Sequence, residues 1–277
     1  MQSYLAAVRA VIRNKPLVHC ITNYVTIRDC ANMLLACGAS PIMADDPLES
    51  AEITALSRGL VLNIGTLHER TVDAMLSSGK TANERDIPVV LDPVGVGASA
   101  FRRETAHKLL SELRFSVIRG NLSEIRSLCD DGSCLRGVDA NLADLSLDRV
   151  EEAISRSRYL SAQTGAVVAV SGAVDVISDS QSSCLIHNGS VRMAKITGSG
   201  CMLSAVTGAF AAASPQNIKT AMEAAFLVYG IAGEIAAEQT IHSGIGSFRI
   251  ALFDAVEQLM SEGAEKELER RARYEHI

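Results

Sequence analysis

The feature of this sequence that most limits its fold is a regular alternation between short apolar runs and longer amphipathic segments. The apolar runs are continuous, which is typical of strands covered by helices on both faces. We predict strands at Leu17–Ile21, Ser40–Met43, Leu60–Ile64, Val89–Asp92, Phe115–Arg119 and Val167–Val170. Helical segments separate them, at Thr26–Cys37, Pro47–Ser57, Glu69–Ser78, Ala100–Leu113, Ser123–Cys129 and Asp148–Thr164. This pattern predicts an α/β fold with a central, mostly parallel sheet and helices on both faces.

The pattern changes after Ser171. Shorter runs follow, at Val174–Ser178, Cys184–His187 and Val191–Ala194, and Asn188-Gly189 between the last two predicts a β-hairpin. Three further helices are predicted at Ser199–Ala213, Asn217–Gln239 and Ser247–Arg271, with a charged and frayed final segment from Ala264 onward. No repeat and no Pro- or Ser-rich linker interrupts the chain, so we expect residues 1–277 to form a single α/β domain.

Composition excludes several classes of protein. Hydrophobic residues make up 48% of the chain, which excludes a disordered protein. The formal net charge is −6 and there is no run rich in Lys and Arg, so neither a nucleic-acid partner nor a polybasic membrane surface is expected. The longest uncharged stretch, Ile196–Ile218, contains glycines and polar residues and is predicted to be a buried helix rather than a membrane span.

The cysteines and the amino-terminal residues bear on the cellular compartment. Seven cysteines, at positions 20, 30, 37, 129, 134, 184 and 201, form no CxxC pair and no regular series, which indicates neither a zinc ribbon nor a disulfide framework. The first residues lack the apolar core of a signal peptide. We therefore expect reduced thiols in a cytoplasmic protein.

The first candidate site segment is the run from Val89 to Gly97. An apolar strand ends in the carboxylate of Asp92, and two glycines follow that allow the backbone to approach a ligand closely. The alternative is that Asp92 only caps the turn before Pro93.

The second candidate segment runs from Ser116 to Glu124. Arg119 at a strand end offers a fork of donors to phosphate, and the oxygen atoms of Asn121 and Glu124 suit a hydrated magnesium ion. The same residues also fit a capping box, with Asn121 as N-cap and Glu124 reaching back to it. The two interpretations are compatible.

The third candidate segment is Thr197-Gly-Ser-Gly-Cys201, which opens the small-residue helix. Free backbone N–H groups and the helix dipole would attract an anion there. The pattern is neither a Walker A loop nor a dinucleotide-binding GxGxxG. A helix N-terminus lowers a thiol pKa and would activate Cys201, whereas a bound polyphosphate would oppose that effect. The alternative is that Cys201 is simply a small buried residue.

The fourth candidate segment joins His19–Thr26 to Gly38–Ala44. Asn23 suits hydrogen bonding to a polar heterocycle, and Met43 suits an apolar pocket. His19 has no catalytic partner in the sequence, which favours a structural histidine.

Taken together, these segments resemble the hydroxyethylthiazole kinase family. The resemblance rests on six motifs in that family's order: Ile-Thr-Asn-Tyr-Val-Thr, Ala-Asn-Met-Leu-Leu-Ala-Cys-Gly-Ala-Ser-Pro-Ile-Met-Ala, Leu-Asn-Ile-Gly-Thr, Leu-Asp-Pro-Val-Gly-Val-Gly-Ala, Ile-Arg-Gly-Asn and Thr-Gly-Ser-Gly-Cys. It extends over nearly the whole chain, and the joint set is specific although each motif alone is not.

The resemblance implies a ribokinase-like fold and an ATP- and Mg²⁺-dependent phosphorylation of 4-methyl-5-(2-hydroxyethyl)thiazole in thiamine salvage. It also implies a homotrimer with active sites between subunits. One subunit would contact the thiazole through Asn23, Val25 and Met43. The other would place Gly198 and the catalytic residue Cys201 near the hydroxyethyl group. ATP would be bound by Arg119, Ser171 and Gly200, and magnesium by Asp92 and Glu124.

The sequence departs from the family pattern at a few positions. Arg28 stands where a small polar residue is expected, in the part of the chain that is expected to bind the substrate. Ser199 replaces the commoner Thr, and Ser180 replaces the commoner Gly. Wider ribokinase-like enzymes usually carry Asp, a base for the acceptor alcohol, at the position of Cys201. The alternatives are a kinase of another small vitamer alcohol of pyrimidine or pyridoxal type, a related hydratase acting on nicotinamide cofactors, and a non-catalytic thiazole- or nucleotide-binding protein.

Overall fold

The computed structural model describes residues 1–129 and 147–277, with side chains of the second part described from residue 149; Cys134 lies outside these residues. The strands are β1 (Leu17–Ile21), β2 (Ser40–Ile42), β3 (Gly59–Asn63), β4 (Val89–Asp92), β5 (Val117–Asn121), β6 (Val167–Ser171), β7 (Asp175–Ser178), β8 (Ser183–Ile186) and β9 (Tyr274–His276). The α-helices are α1 (Gln2–Asn14), α2 (Ile27–Ala36), α3 (Ser50–Leu56), α4 (Glu69–Glu84), α5 (Ala100–Glu112), α6 (Leu122–Cys129), α7 (Leu147–Thr164), α8 (Ser199–Ala213), α9 (Ile218–Gln239), α10 (Ile245–Leu259) and α11 (Glu265–Arg271).

All of these strands form one sheet in the order β2-β1-β3-β4-β5-β6-β7-β8-β9. The pairs from β2 to β6 are parallel, and those from β6 to β9 are antiparallel. This confirms the predicted mostly parallel sheet. The register places Asn63 beside Asp92, and Asn121 beside Ser171. Polar residues at the carboxyl ends of four adjacent strands therefore share one edge of the sheet.

Side chains alternate between two apolar layers because successive residues of a strand point to opposite faces. In β3, Val61 packs into the layer that contains α1, α2 and α8 to α11, whereas Leu60 and Leu62 pack into the layer with α4 to α7. Helix α9 is long and apolar enough to cross a membrane, but 78% of its most apolar window is buried in the protein. The uncharged stretch from Ile196 forms the buried helix α8, as predicted.

Two element boundaries differ from the prediction for visible reasons. Helix α4 continues past Ser78 to Glu84. Gly79 lies inside this helix as a packing position, because Leu113 approaches it so closely that a Cβ there would lie 2.3 Å from Leu113 Cδ1. Strand β5 begins at Val117 rather than Phe115, although Phe115 is buried in the preceding loop. The apolar character of Phe115 therefore led to a predicted strand start that is two residues too early.

The hairpin predicted at Asn188-Gly189 is wrong. Val191–Lys195 forms a 3₁₀ helix, begun by Ser190, whose Oγ accepts from the backbone N–H of Arg192. The buried Asn188 side chain instead donates to Glu234 Oε1 (3.1 Å) and to the carbonyl of Arg271 (2.9 Å). These distant partners determine the path of the chain, and β8 pairs with β9 from the carboxyl terminus.

The long final helix predicted at Ser247–Arg271 is also wrong. Helix α10 ends at Leu259, and Gly263, with φ of 89°, precedes α11. The charged segment is not frayed, because Leu268 is buried and Arg271 forms an ion pair with Glu238 (2.7 Å). It leads into β9, a strand that was not predicted from the sequence.

Candidate functional site

The candidate site lies where strands β3 to β6 end and helix α8 begins. Asn63, Asp92, Arg119 and Ser171 lie at or near the carboxyl ends of these strands, and Gly198 is the N-cap of α8. Ligands of open parallel sheets bind beyond this edge, and a helix N-terminus there attracts anions.

Asp92 is fully buried at the centre of this edge. Its Oδ2 accepts hydrogen bonds from Asn63 Nδ2 (2.8 Å) and Ser204 Oγ (2.6 Å), whereas Oδ1 has no partner. The alternative that Asp92 only caps the turn before Pro93 is wrong, since its bonds run to side chains from β3 and α8. Burial raises the pKa of Asp92 to about 6; the positive charge of Arg119 opposes this shift and the charge of Glu124 adds to it.

Arg119 is buried beside α8 and points its guanidinium toward β6. Its Nη2 donates to Ser171 Oγ (2.7 Å), and its buried Nε has no partner. A Cβ at Gly200 would lie 2.8 Å from Arg119 Nη1. The guanidinium therefore reaches the first turn of α8 only because residue 200 is glycine.

Glu124 and Asn121 form the predicted capping box. The backbone N–H of Glu124 donates to Asn121 Oδ1 (2.9 Å), and that of Asn121 donates to Glu124 Oε2 (2.8 Å). The other carboxylate oxygen, Oε1, accepts from the backbone N–H of Gly95 (3.0 Å). These bonds fix the Glu124 carboxylate beside the glycine-containing loop that follows Asp92.

Cys201 lies in the first turn of α8 and is half-buried. Its Sγ accepts from the amide groups of Asn23 (3.2 Å) and Asn63 (3.3 Å). Burial, followed by the negative charge of Asp92, raises the pKa of Cys201. Of the two alternatives, the raised pKa favours a small buried thiol over one activated by the helix N-terminus.

Asn23 connects the loop after β1 to the start of α8 within one chain. Its Oδ1 accepts from both the backbone N–H (3.1 Å) and the hydroxyl (3.0 Å) of Thr26. A Cβ at Gly198, where φ is 85°, would lie 2.5 Å from Thr26 Cγ2, so this contact requires glycine. The expectation that Asn23 and Cys201 come from different subunits is wrong for this pair, since they are hydrogen-bonded in the same chain.

The remaining predicted substrate contacts lie outside this hydrogen-bonded group. Val25 is 58% exposed, and Met43 is half-buried against the layer that contains α2 and α8. Tyr24, beside Val25, is 70% exposed. An apolar surface thus adjoins the buried polar site.

His19 is a structural residue, as predicted. It is fully buried, and its ring nitrogens contact Thr54 Oγ1 (2.8 Å) and the carbonyl of Ala44 (2.6 Å). Burial lowers its pKa. These partners leave neither ring nitrogen free for catalysis.

Asn63 and Ser204 were not predicted as site residues from the sequence. Asn63 bonds both Asp92 and Cys201, and Ser204 bonds Asp92. A signal for Asn63 was present, because it ends the strand before β4 and lies within one of the quoted motifs. Ser204 follows Gly200 by four residues, so helical spacing places it one turn further along the same face of α8.

Comparison with known proteins identifies the family of this chain. Residues 8–262 match the hydroxyethylthiazole kinase family. The hydroxyethylthiazole kinase of Desulfovibrio desulfuricans is 50% identical over 259 residues, which cover 90% of this chain and 91% of that protein. That of Ruminiclostridium cellulolyticum is 49% identical over 245 residues, which cover 88% of each.

Solved structures agree with the sequence relatives. The hydroxyethylthiazole kinase protein from Pyrococcus horikoshii OT3 superimposes with a TM-score of 0.87 at 34% identity, covering 100% of both chains. A ribokinase-like superfamily protein from Enterococcus faecalis has a TM-score of 0.59 at 12% identity, covering 89% of this chain and 88% of that one, and is similar in fold alone. The expected ribokinase-like fold is thus confirmed, and the chain belongs to the hydroxyethylthiazole kinase family.

Proposed function

We propose that this protein transfers the γ-phosphoryl group of ATP to the hydroxyl of 4-methyl-5-(2-hydroxyethyl)thiazole, in thiamine salvage. The observation that carries the proposal is the convergence of Asp92, Arg119 and Cys201 on the N-terminus of α8, in a chain that belongs to the thiazole kinase family. Phosphoryl transfer depends mainly on positioning and charge neutralisation, and this site offers both.

The residues at the sheet edge fit the magnesium ion that this reaction would use. Asp92 offers a buried carboxylate oxygen without a partner, and Glu124 has its carboxylate fixed nearby. Hard carboxylate oxygens are suitable ligands for Mg²⁺. Asp92 and Glu124 would hold the ion, which would neutralise charge on the phosphate groups.

The phosphate groups of ATP would bind at the start of α8. The backbone at Gly198 and Gly200 offers N–H groups and the positive end of the helix dipole. Arg119, held by Ser171, presents a cation at the same place. We assign Arg119, Ser171 and Gly200 to ATP binding on this basis.

Cys201 would lie at the acceptor end of the transfer. The alcohol oxygen attacks the γ-phosphorus, the bond to the ADP oxygen breaks, and the alcohol proton passes to an oxygen of the transferred phosphoryl group and then to solvent. The raised pKa of Cys201 keeps the thiol protonated at neutral pH, so its role is to contact and orient the alcohol rather than to act as a strong base.

The thiazole would bind between Asn23, Val25, Met43 and Gly198. The exposed apolar side chains of Tyr24 and Val25 support a subunit interface at this surface. The family resemblance implies a homotrimer, in which Val25 and Met43 of one subunit would complete the site of the next. The continuous sheet supports a single domain over residues 1–277. The burial of α9 argues against a membrane span, and the irregular cysteine spacing supports a cytoplasmic location.

The experiment that tests this function is a steady-state assay of ADP release with ATP and Mg²⁺. The thiazole alcohol, a hydroxymethylpyrimidine and pyridoxal are compared at equal concentrations. We expect the highest kcat/KM with the thiazole alcohol. A higher value with either of the other alcohols would assign the site to another vitamer, and normal ligand binding without turnover would indicate a binding protein.

The shared site is tested by mixing two inactive variants, Met43→Arg and Gly198→Asp. Mixed trimers contain some interfaces with two undamaged halves, so partial activity should return after subunit exchange. A fully active monomer in light scattering at the assay concentration would exclude the shared site.

A further inference from the structure

A second cluster of metal-ligating side chains lies away from the sheet edge that carries the candidate active site. Cys184 in β8, Glu223 in α9 and His276 in β9 each bring one ligand atom, and these atoms lie within 4.8 Å of one another. We propose that this cluster is a binding site for a borderline divalent cation, with Zn²⁺ as the best match.

The donor set decides the class of cation. A thiolate, an imidazole nitrogen and a carboxylate oxygen together suit zinc, whereas magnesium and calcium prefer oxygen ligands alone. Around a tetrahedral zinc ion, with bonds of about 2.0–2.3 Å, ligand atoms lie roughly 3.3–3.8 Å apart. The cluster is therefore within about 1 Å of the required geometry.

One ligand is exposed and the other two are buried, which fits this small adjustment. Cys184 and Glu223 are buried, at 0% and 4% exposure, and are fixed by β8 and α9. The side chain of His276 is 57% exposed, and its Nδ1 lies 4.0 Å from Glu223 Oε1. A rotation of this exposed imidazole closes the site, and its open side provides the path by which a cation enters.

Tyr4 supplies the outer partner that zinc-binding histidines usually have. Its hydroxyl lies 3.0 Å from His276 Nε2 and 3.9 Å from Cys184 Sγ. An Nε2–H donated to this hydroxyl would leave Nδ1, the nitrogen that faces Glu223, as the ligand atom.

Charge supports the same assignment. A thiolate and a carboxylate together carry two negative charges, which one divalent cation neutralises. Lys219, whose charge acts on both Cys184 and Glu223, is already paired with Asp179 (3.1 Å). A cysteine binds zinc as the thiolate, so binding here would release the Cys184 proton as the cation takes its place. Bound zinc would also attach β9 at the carboxyl terminus to β8 and α9.

Cobalt and zinc binding to the full-length protein, stripped with a chelator beforehand, tests the proposal. We expect Co²⁺ to give a thiolate charge-transfer band in the near ultraviolet that disappears in Cys184→Ser and remains in Cys201→Ser. His276→Asn, which changes an exposed side chain and should fold normally, should weaken Zn²⁺ binding by more than the roughly 10–100-fold expected for Tyr4→Phe.

His187→Asn is the matched control, because His187 is an exposed histidine that lies beside Glu275 at the same end of the sheet. Zn²⁺ should raise the melting temperature of wild type and His187→Asn but not of His276→Asn. The proposal is overturned by the absence of a cobalt band, by a band that persists in Cys184→Ser, or by equal Zn²⁺ affinity in wild type and His276→Asn.

Discussion

The carboxylate of Asp92 and the guanidinium of Arg119 face each other across neighbouring strands, with 4.0 Å between Oδ2 and Nη1. Both side chains are almost wholly buried, yet this separation is longer than a hydrogen bond. Oδ1 of Asp92 and Nε of Arg119 also have no partner. Buried polar groups are seldom left so incompletely bonded. A ligand that brings a cation and phosphate oxygens together would satisfy both residues, which accounts for their arrangement.

The first prediction concerns the two carboxylates assigned to magnesium. Asp92→Asn and Glu124→Gln should each lower kcat by at least about 100-fold, as does the loss of other charge-stabilising groups at active sites. Both should fold normally, because Asn matches the shape of Asp and Gln can still complete the capping box. Turnover and thermal melting measured on the same preparations check both statements.

Glu112→Gln is the control for the loss of a carboxylate, since Glu112 pairs with Lys80 on the surface. It should retain wild-type turnover. If both site variants were unfolded and their residual activity followed the folded fraction, Asp92 and Glu124 would be structural residues instead.

The second prediction separates the two donors to Asp92. Asn63→Leu and Ser204→Ala each remove a hydrogen bond to the carboxylate, and such bonds to charged groups contribute about 1.5–3 kcal/mol. Both bonds lower the pKa of Asp92, so their loss should raise it. As the pH is lowered, Asp92 should then be protonated earlier, and either variant should lose activity at a higher pH than wild type does. Rate measurements from pH 5 to 8 test this shift.

Only one of these variants should alter Cys201. Asn63 donates to Cys201 Sγ and lowers its pKa, so Asn63→Leu should slow alkylation of this thiol by iodoacetamide at pH 8. Ser204→Ala should not. Peptide mapping by mass spectrometry identifies the modified cysteine. Identical alkylation profiles in the two variants would contradict the role of Asn63 as a donor to both Asp92 and Cys201.

The parallel half of the fold could be predicted from local patterns, and the carboxyl-terminal part could not. The limits of β1 and β4 agree with the prediction because short apolar runs bounded by polar residues determine them. Asn188-Gly189 satisfies the rule for a hairpin, but bonds from Asn188 to α9 and α11 outweigh it. Strand β9 depends on pairing with β8, about ninety residues earlier, and no local pattern predicts such a pairing.

The site shows the same division. Asp92 and Arg119 were predicted because each follows an apolar strand, and parallel topology brings such ends together. The direction of the pKa shift of Cys201 could not be predicted from the sequence, because it depends on burial and on Asp92, which is distant in sequence. Ser204 was missed because a serine in a small-residue helix resembles any other core position.

The third prediction uses the pH dependence of stability. Burial lowers the pKa of His19 below its ordinary value of 6.5, so the folded protein keeps this imidazole neutral while the unfolded chain takes up a proton as the pH falls. Stability is therefore fully present above about pH 6.5 and decreases as the pH falls through that value toward the folded-state pKa.

Urea unfolding at pH 8.0 and pH 5.5 measures this contribution. The loss of unfolding free energy between the two conditions should be smaller in His19→Gln than in wild type. His187→Gln, which replaces an exposed histidine, should show the wild-type difference. An unchanged difference in His19→Gln would mean that His19 does not contribute to acid sensitivity.

The last prediction concerns the role of Cys201. Two amide groups donate to its Sγ, and its raised pKa leaves little thiolate at neutral pH. Cys201→Ala should therefore lower kcat clearly but leave measurable activity, because even a general base typically contributes only about 10²–10⁴-fold and the helix and its bound charges supply other stabilisation. Steady-state kinetics with both substrates at saturation check this.

Cys201→Asp provides the decisive comparison, because it places a carboxylate where the same two amides can bond it. Such a group is a stronger base at neutral pH than a thiol whose pKa is raised, so this variant should be at least as active as Cys201→Ala. The nearby charge of Asp92 would raise the pKa of the new carboxylate, which strengthens it as a base while it remains ionised. A trapped phosphocysteine in wild type would contradict the assisting role, because Cys201 would then be a nucleophile. An Asp variant that folds and binds both substrates but turns over more slowly than the Ala variant would contradict it as well, since a base at this position would then give no advantage.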